Sequence, residues 1–118
     1  MSVPSPNSLK VGDTSPIVAT LTDERGPVNL AGALIEFRMR SRVPGSGHAD
    51  IAEPGEVLQD VNESGAIINK GQVQYAWGGG ETDVPGLYGF EFAVTFPDGS
   101  IRTFPNDRTV LLEIVAAA

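Results

Sequence analysis

The chain has no cysteine in its 118 residues, which removes disulfides, thiolate metal sites and cysteine nucleophiles. Histidine is nearly as scarce. The single one, His48, sits in the loop-forming stretch Val43-Pro44-Gly45-Ser46-Gly47-His48 with no second His or Cys nearby. Neither a zinc site nor a Ser-His-Asp constellation can be built on it. Cations are few: 8 Lys and Arg against 15 Asp and Glu give a formal charge of −7. That excludes a nucleic-acid phosphate reader, which needs clustered Lys and Arg. No run approaches the ~20 apolar residues of a membrane-spanning helix, and Met1–Ser8 lacks the basic and apolar regions of a signal peptide. Convincing 3.6-residue periodicity and internal repeats are missing too. What the chain does have is 14 Gly and 9 Pro, the punctuation of a turn-rich all-β domain. Its length suits one domain with a core that needs no covalent staples.

The strongest strand signal is Gly86-Leu87-Tyr88-Gly89-Phe90-Glu91-Phe92-Ala93-Val94-Thr95-Phe96. Large apolar residues fall on every second position from Tyr88 to Phe96, so one face of a strand about nine residues long is buried. Pro97-Asp98-Gly99 ends it with turn chemistry. The same alternation puts Ile17, Ala19 and Leu21 on one face of Pro16–Thr22, and Ile35, Phe37 and Met39 on one face of Ala33–Ser41. Leu9–Asp13 reads as a short edge strand, Asp23-Glu24-Arg25-Gly26-Pro27 as a turn, and Leu30 as a return to the core. Strand pattern recurs in Ala66–Asn69, then in Val73, Tyr75 and Trp77, in Ile101–Phe104, and in Val110, Leu112 and Ile114. Residues 1–8 read as a flexible Pro/Ser-rich arm, 9–118 as the domain, and Arg42–Val57 as a long loop without pattern.

Seven to eight short strands punctuated by turns describe a two-sheet antiparallel sandwich. Gly86-Leu87-Tyr88-Gly89-Phe90 narrows this to an immunoglobulin-like one, because a Tyr two residues before a core position has the spacing of a tyrosine corner. Its hydroxyl would bond back to the preceding loop, and Phe90 would stand where such domains carry a cysteine. The alternative is an ordinary amphipathic-strand tyrosine. Tyr88, Phe90, Phe92, Trp77 and Phe37 are thus expected to be structural, with Gly86, Asp98 and Gly99 shaping turns.

Chemistry is poorly represented. Asp50, Glu53, Glu56, Asp60 and Glu63 form an acidic run, and a hard cation such as calcium takes several oxygen ligands. Without Asp-x-Asp-x-Asp-Gly spacing the run reads as solvated surface. Nothing places two carboxylates across a cleft for glycoside hydrolysis. Gly78-Gly79-Gly80 is followed by no Lys-Ser or Lys-Thr and opens no helix, so it is no phosphate cradle. Asn62-Glu63-Ser64 matches a glycosylation sequon by accident. Tyr75 and Trp77 share the parity of Val73, which favours core packing over a sugar-stacking platform. No catalytic residue, cofactor or metal site is expected, and no small-molecule substrate. Function then falls to surfaces. Leu111 and Val115, outward on the last strand, are the candidate partner contacts.

The wording of the chain points to a family. Gly12-Asp13, Leu21-Thr22-Asp23, Val28-Asn29-Leu30-Ala31-Gly32-Ala33 and Phe37-Arg38-Met39-Arg40 are followed by Gly71-Gln72-Val73-Gln74-Tyr75-Ala76-Trp77. Then come Thr82-Asp83-Val84-Pro85-Gly86-Leu87-Tyr88, Glu91-Phe92, Phe96-Pro97-Asp98-Gly99 and Thr103-Phe104-Pro105. In order and spacing, from about residue 9 to 115, this resembles the immunoglobulin-like N-terminal domain of the phage baseplate upper protein family. The resemblance implies a non-enzymatic virion protein of a tailed phage, a tail or baseplate module contacting other virion proteins in a symmetric multi-copy assembly. A capsid decoration protein is the alternative reading, which the single-domain length and the arm suit. A carbohydrate-binding module for host surfaces is a second alternative, disfavoured because the Arg42–Val57 and Gly78–Pro85 loops hold no Phe, Tyr or Trp.

Overall fold

The computed structural model describes residues 8–42, 50–105 and 110–116; residues 1–7 of the expected 1–8 arm and His48 lie outside them. Among the described residues there is no helix. Thirteen strands follow in chain order: β1 (Ser8–Lys10), β2 (Ile17–Thr20), β3 (Thr22–Asp23), β4 (Gly26–Pro27), β5 (Leu34–Ser41), β6 (Ile51–Pro54), β7 (Glu56–Val57), β8 (Asp60–Val61), β9 (Ile67–Ile68), β10 (Gln72–Tyr75), β11 (Gly86–Thr95), β12 (Ile101–Phe104) and β13 (Val110–Val115). Seven of them have four residues or more, and β1 has three.

The larger sheet runs β1-β13-β11-β5-β6. One edge of β11 is shared in succession: its first half, Gly86–Phe90, pairs with β13 and its second half, Phe92–Thr95, with β12. Along its other edge it pairs with β5 from Tyr88↔Ser41 to Thr95↔Leu34. The smaller sheet is β2-β10-β7. The two sheets, packed on a shared core, make this an all-β sandwich. Among the described residues every strand pair is antiparallel except one, a departure from the expected pattern: β1 runs parallel to β13, Leu9 opposite Ile114. Ser8 is already in that pair, so regular structure starts one residue earlier than the 1–8 arm boundary.

Alternation does the building. Ile35, Phe37 and Met39 of β5, Tyr88, Phe90, Phe92 and Val94 of β11, and Leu112 and Ile114 of β13 are buried. They face Ile17, Ala19, Leu21, Val73 and Tyr75 from the other layer. Phe37 is the hub of an aromatic cluster. It stacks on Tyr75 across the two sheets, ring centroids 4.2 Å apart, and meets the rings of Trp77, Phe90 and Phe92 at 5.4–5.7 Å. Such contacts add roughly 0.5–1.5 kcal/mol each beyond area burial. Trp77 is only half-buried at the rim, where its indole N–H donates to the Ser15 carbonyl at 2.9 Å.

The expected long loop at 42–57 is partly regular. β6 pairs with β5 and β7 with β10, and Gly55 bonds the Ile35 carbonyl where the chain crosses between sheets. An edge strand needs little apolar alternation, and here only Ile51 is buried. Ala66–Asn69 is likewise reduced to the two residues of β9, which pair with β8 in a separate hairpin.

Candidate interaction surface

Tyr88 forms a tyrosine corner. Its ring is buried and its hydroxyl donates to the Val84 carbonyl at 2.8 Å. Gly86, two residues earlier, has a φ of +155°, a backbone conformation that residues with side chains rarely adopt, and a Cβ there would be in ordinary contact with that ring at 3.5 Å. At the far end of β11, Gly99 takes a φ of +87° and the Asp98 carboxylate accepts from both the hydroxyl and the amide of Ser100. Those bonds, the hydroxyl first, hold the Asp98 carboxyl below the usual carboxylate range. The two ends of the central strand are thereby fixed.

Fixing the inner face fixes the outer face by parity. Leu87, Gly89, Glu91, Ala93 and Thr95 face outward from β11, in register with Arg40, Arg38, Glu36 and Leu34 of β5 from Gly89 onward. At one end Leu87 stands opposite Glu113, with Leu111 and Val115 on its two diagonals, a distance of ~7–8 Å that aliphatic side chains can bridge. At the other end Leu34 and Ile101 flank Thr95 from both sides and are 74% and 65% exposed. The middle is charged. Arg38 pairs with Glu36 at 2.6 Å and Arg40 with Asp50 at 3.8 Å, all four solvated. This face is therefore apolar at both ends and ionic between them.

Two hollows lie on it. A groove of about 680 Å³ is lined by Leu34, Pro54, Val57, Ala93 and Ile101 with Glu36 and Arg38 at its rim. A smaller one of about 510 Å³ is bounded by Arg38, Arg40, Arg42, Asp50 and Glu91. Leu111 and Val115 were identifiable from parity. Leu87, Leu34 and Ile101 join them in the structure, each the out-of-phase aliphatic of a strand whose inward residues are plain.

The structure scatters the acidic run. Asp50 sits by Arg40, Glu56 accepts from the Gln74 side-chain amide at 2.6 Å, and the Asp60 carboxylate accepts from the Val61 amide at 2.7 Å. Glu53 is on the β6 edge and Glu63 at the tip of the β8–β9 hairpin. Among the described residues no group of three His, Cys, Asp or Glu is placed to hold a metal ion. Asn62 of the sequon caps that tip instead, its Oδ1 accepting from the amides of Ser64 and Ala66.

One polar contact went unseen in the sequence. The Tyr75 hydroxyl donates to Glu81 Oε1 at 2.5 Å, and the same oxygen accepts from the Gly78 amide at 2.6 Å. Burial pushes the Tyr75 phenol up, and the Glu81 carboxylate adds to it. Glu81 thus ties the triple-glycine loop to the core, a structural use of a charged side chain. Compared with family models, with curated proteins and with solved structures, the chain returns no match.

Proposed function

We propose that this chain is a non-enzymatic assembly module of a tailed-phage virion, associated with the tail or baseplate. The observation that carries the assembly reading is the outer face of the larger sheet, with Leu87, Leu111 and Val115 at one end and Leu34 and Ile101 at the other. Solvated aliphatics clustered on a rigid sheet favour protein contact over chemistry. The virion reading rests on the ordered sequence words from Gly12-Asp13 to Thr103-Phe104-Pro105. A sandwich closed by a tyrosine corner, with most of its aromatics turned inward, suits that role and, among the described residues, leaves no ring for sugar stacking beyond the half-buried Trp77 and Phe96.

The test is location. Phage heads and tails are separated and each fraction is searched for this chain by mass spectrometry. Recovery with tails is expected; recovery with heads at high copy number would make it a capsid decoration protein, and absence from both would overturn the virion reading.

A further inference from the structure

Sheet edges are where a β domain pairs with another chain, and most edges here are blunted. Among the described residues, β1 has three residues and carries Lys10, β6 carries Glu53 and ends at Pro54, β7 has two residues, and β12 carries Arg102. Shortness, charge and proline all discourage edge pairing. β2, the end strand of the smaller sheet, has none of these: it reads Ile17-Val18-Ala19-Thr20.

The register tells which backbone groups face out. β10 sets Tyr75 opposite Ile17 and Val73 opposite Ala19. The ladder continues with the Leu21 amide donating to the Gly71 carbonyl at 2.8 Å. Hydrogen-bonded pairs alternate in an antiparallel ladder, so Ile17 and Ala19 turn their amides and carbonyls toward β10. Val18 and Thr20 turn theirs to the open edge, where no other described strand pairs with them.

The outer-face row that β2 shares with β10 is uncharged. On the outer face of this sheet Val18 stands beside Gln74 and Thr20 beside Gln72. The nearest charge in that row is Glu56 on β7, two strand spacings or about 10 Å from β2. Two copies of a chain with charge −7 repel where acidic surfaces meet, and this strip lets them approach.

We propose that β2 pairs antiparallel with β2 of a second copy about a two-fold axis, joining two three-stranded sheets into one. Val18 lies opposite the partner's Thr20 and Ala19 opposite the partner's Ala19. Each Val18–Thr20 pair exchanges two bonds, and symmetry doubles them. A register centred on Val18 would instead set Thr20 against Pro16, which has no amide to donate. The pairing is independent of the virion reading and belongs to the isolated chain in solution.

Light scattering on the purified full chain, over a concentration series into the millimolar range, tests it. The expected mass at the upper end is twice the 12.4 kDa of one chain. Val18→Pro removes an edge amide without touching a bond to β10, and Val18→Glu places a like charge on both copies. Both are expected to return the mass to one chain with near-ultraviolet circular dichroism unchanged; should Val18→Pro fail to fold, Val18→Glu decides. A wild-type chain that stays monomeric overturns the proposal, and so does Val18→Glu doubling its mass with a native spectrum. Slow amide exchange at Val18 and Thr20 in a monomer also overturns it, because the chain's own residues would then cover the edge.

Discussion

Two tyrosines carry opposite kinds of polar handle. The Tyr88 hydroxyl meets a neutral carbonyl, that of Val84, in a buried site. Removing one neutral hydrogen bond and stranding its acceptor costs about 1–3 kcal/mol. Tyr88→Phe is therefore expected to lower stability by about that much, read as a lower urea midpoint at unchanged m-value. An unchanged midpoint would mean that the corner bond contributes nothing. Tyr75 meets a carboxylate. Its phenol is raised by burial and then by Glu81, so the native state keeps a proton that the unfolded chain gives up near pH 10. The sign follows: this contribution is complete below about pH 10 and is lost as pH rises toward the native value. In a Tyr88→Phe background only Tyr75 titrates, because the chain has 2 Tyr. Its tyrosinate absorbance should stay silent past pH 10 and then rise together with unfolding. Adding Glu81→Gln keeps an acceptor oxygen but removes the charge, and it should bring the titration to lower pH without restoring the ordinary value, since burial remains.

At the scale of the element, two residues decide how the β8–β9 hairpin joins the sandwich. Gln59 Oε1 accepts from the amides of Leu30 and Gly71 at 2.8 and 3.2 Å, and its Nε2 donates to Asn29 at 2.8 Å. Gln59→Ala should cost about 1–3 kcal/mol by leaving these amides without a partner, with faster exchange at Leu30 and Gly71 as the direct readout. Gly71 has a φ of +79°, and a Cβ there would lie 2.8 Å from the Leu21 carbonyl oxygen. Left-handed backbone alone costs a residue with a side chain about 1–2 kcal/mol, and the clash adds to it. Gly71→Ala is expected to lose at least about 2 kcal/mol in a denaturant titration; a smaller loss would mean that β2 and β10 can part here without consequence. The same elements show what a sequence reveals. β5, β10, β11 and β13 are legible because each turns one face to the core, so Phe37, Val73, Phe92 and Leu112 fall on a period of two. β6 and β7 are illegible because an edge is defined by backbone pairing, and Glu53, Pro54 and Glu56 look like a loop. Val61, Ile67 and Ile68 are exposed, so β8 and β9 leave no alternation to read. Gln59 and Glu81 act across chain separations of 29 and 6 residues, and no local pattern encodes such bonds. Tyr88 was readable because its partner is only 4 residues away.

At the scale of the molecule, the outer face of the larger sheet has a geometric consequence. Leu87 and Thr95 lie eight positions apart on β11, about 27 Å along a strand, and the molecule is 48 Å in its longest dimension. The apolar end around Leu87, Leu111 and Val115 is therefore too far from the end around Leu34 and Ile101 for one small contact to cover both. In a symmetric particle the two ends can meet different neighbours, and the second contact is then made at a high effective concentration. Weak single contacts become sufficient under that condition. Leu87→Asp with Leu111→Asp, or Leu34→Asp with Ile101→Asp, changes only solvated side chains, and each exposed substitution should alter stability by no more than about 0.5 kcal/mol. Either pair should lower incorporation into particles during competition with the wild-type chain, and the four changes together should reduce it far more than either pair alone. Quantitative mass spectrometry of purified particles gives the ratios. Equal incorporation of the fourfold variant, with its fold confirmed by circular dichroism, would remove this face from the assembly and leave the sheet edges as the remaining contact surface.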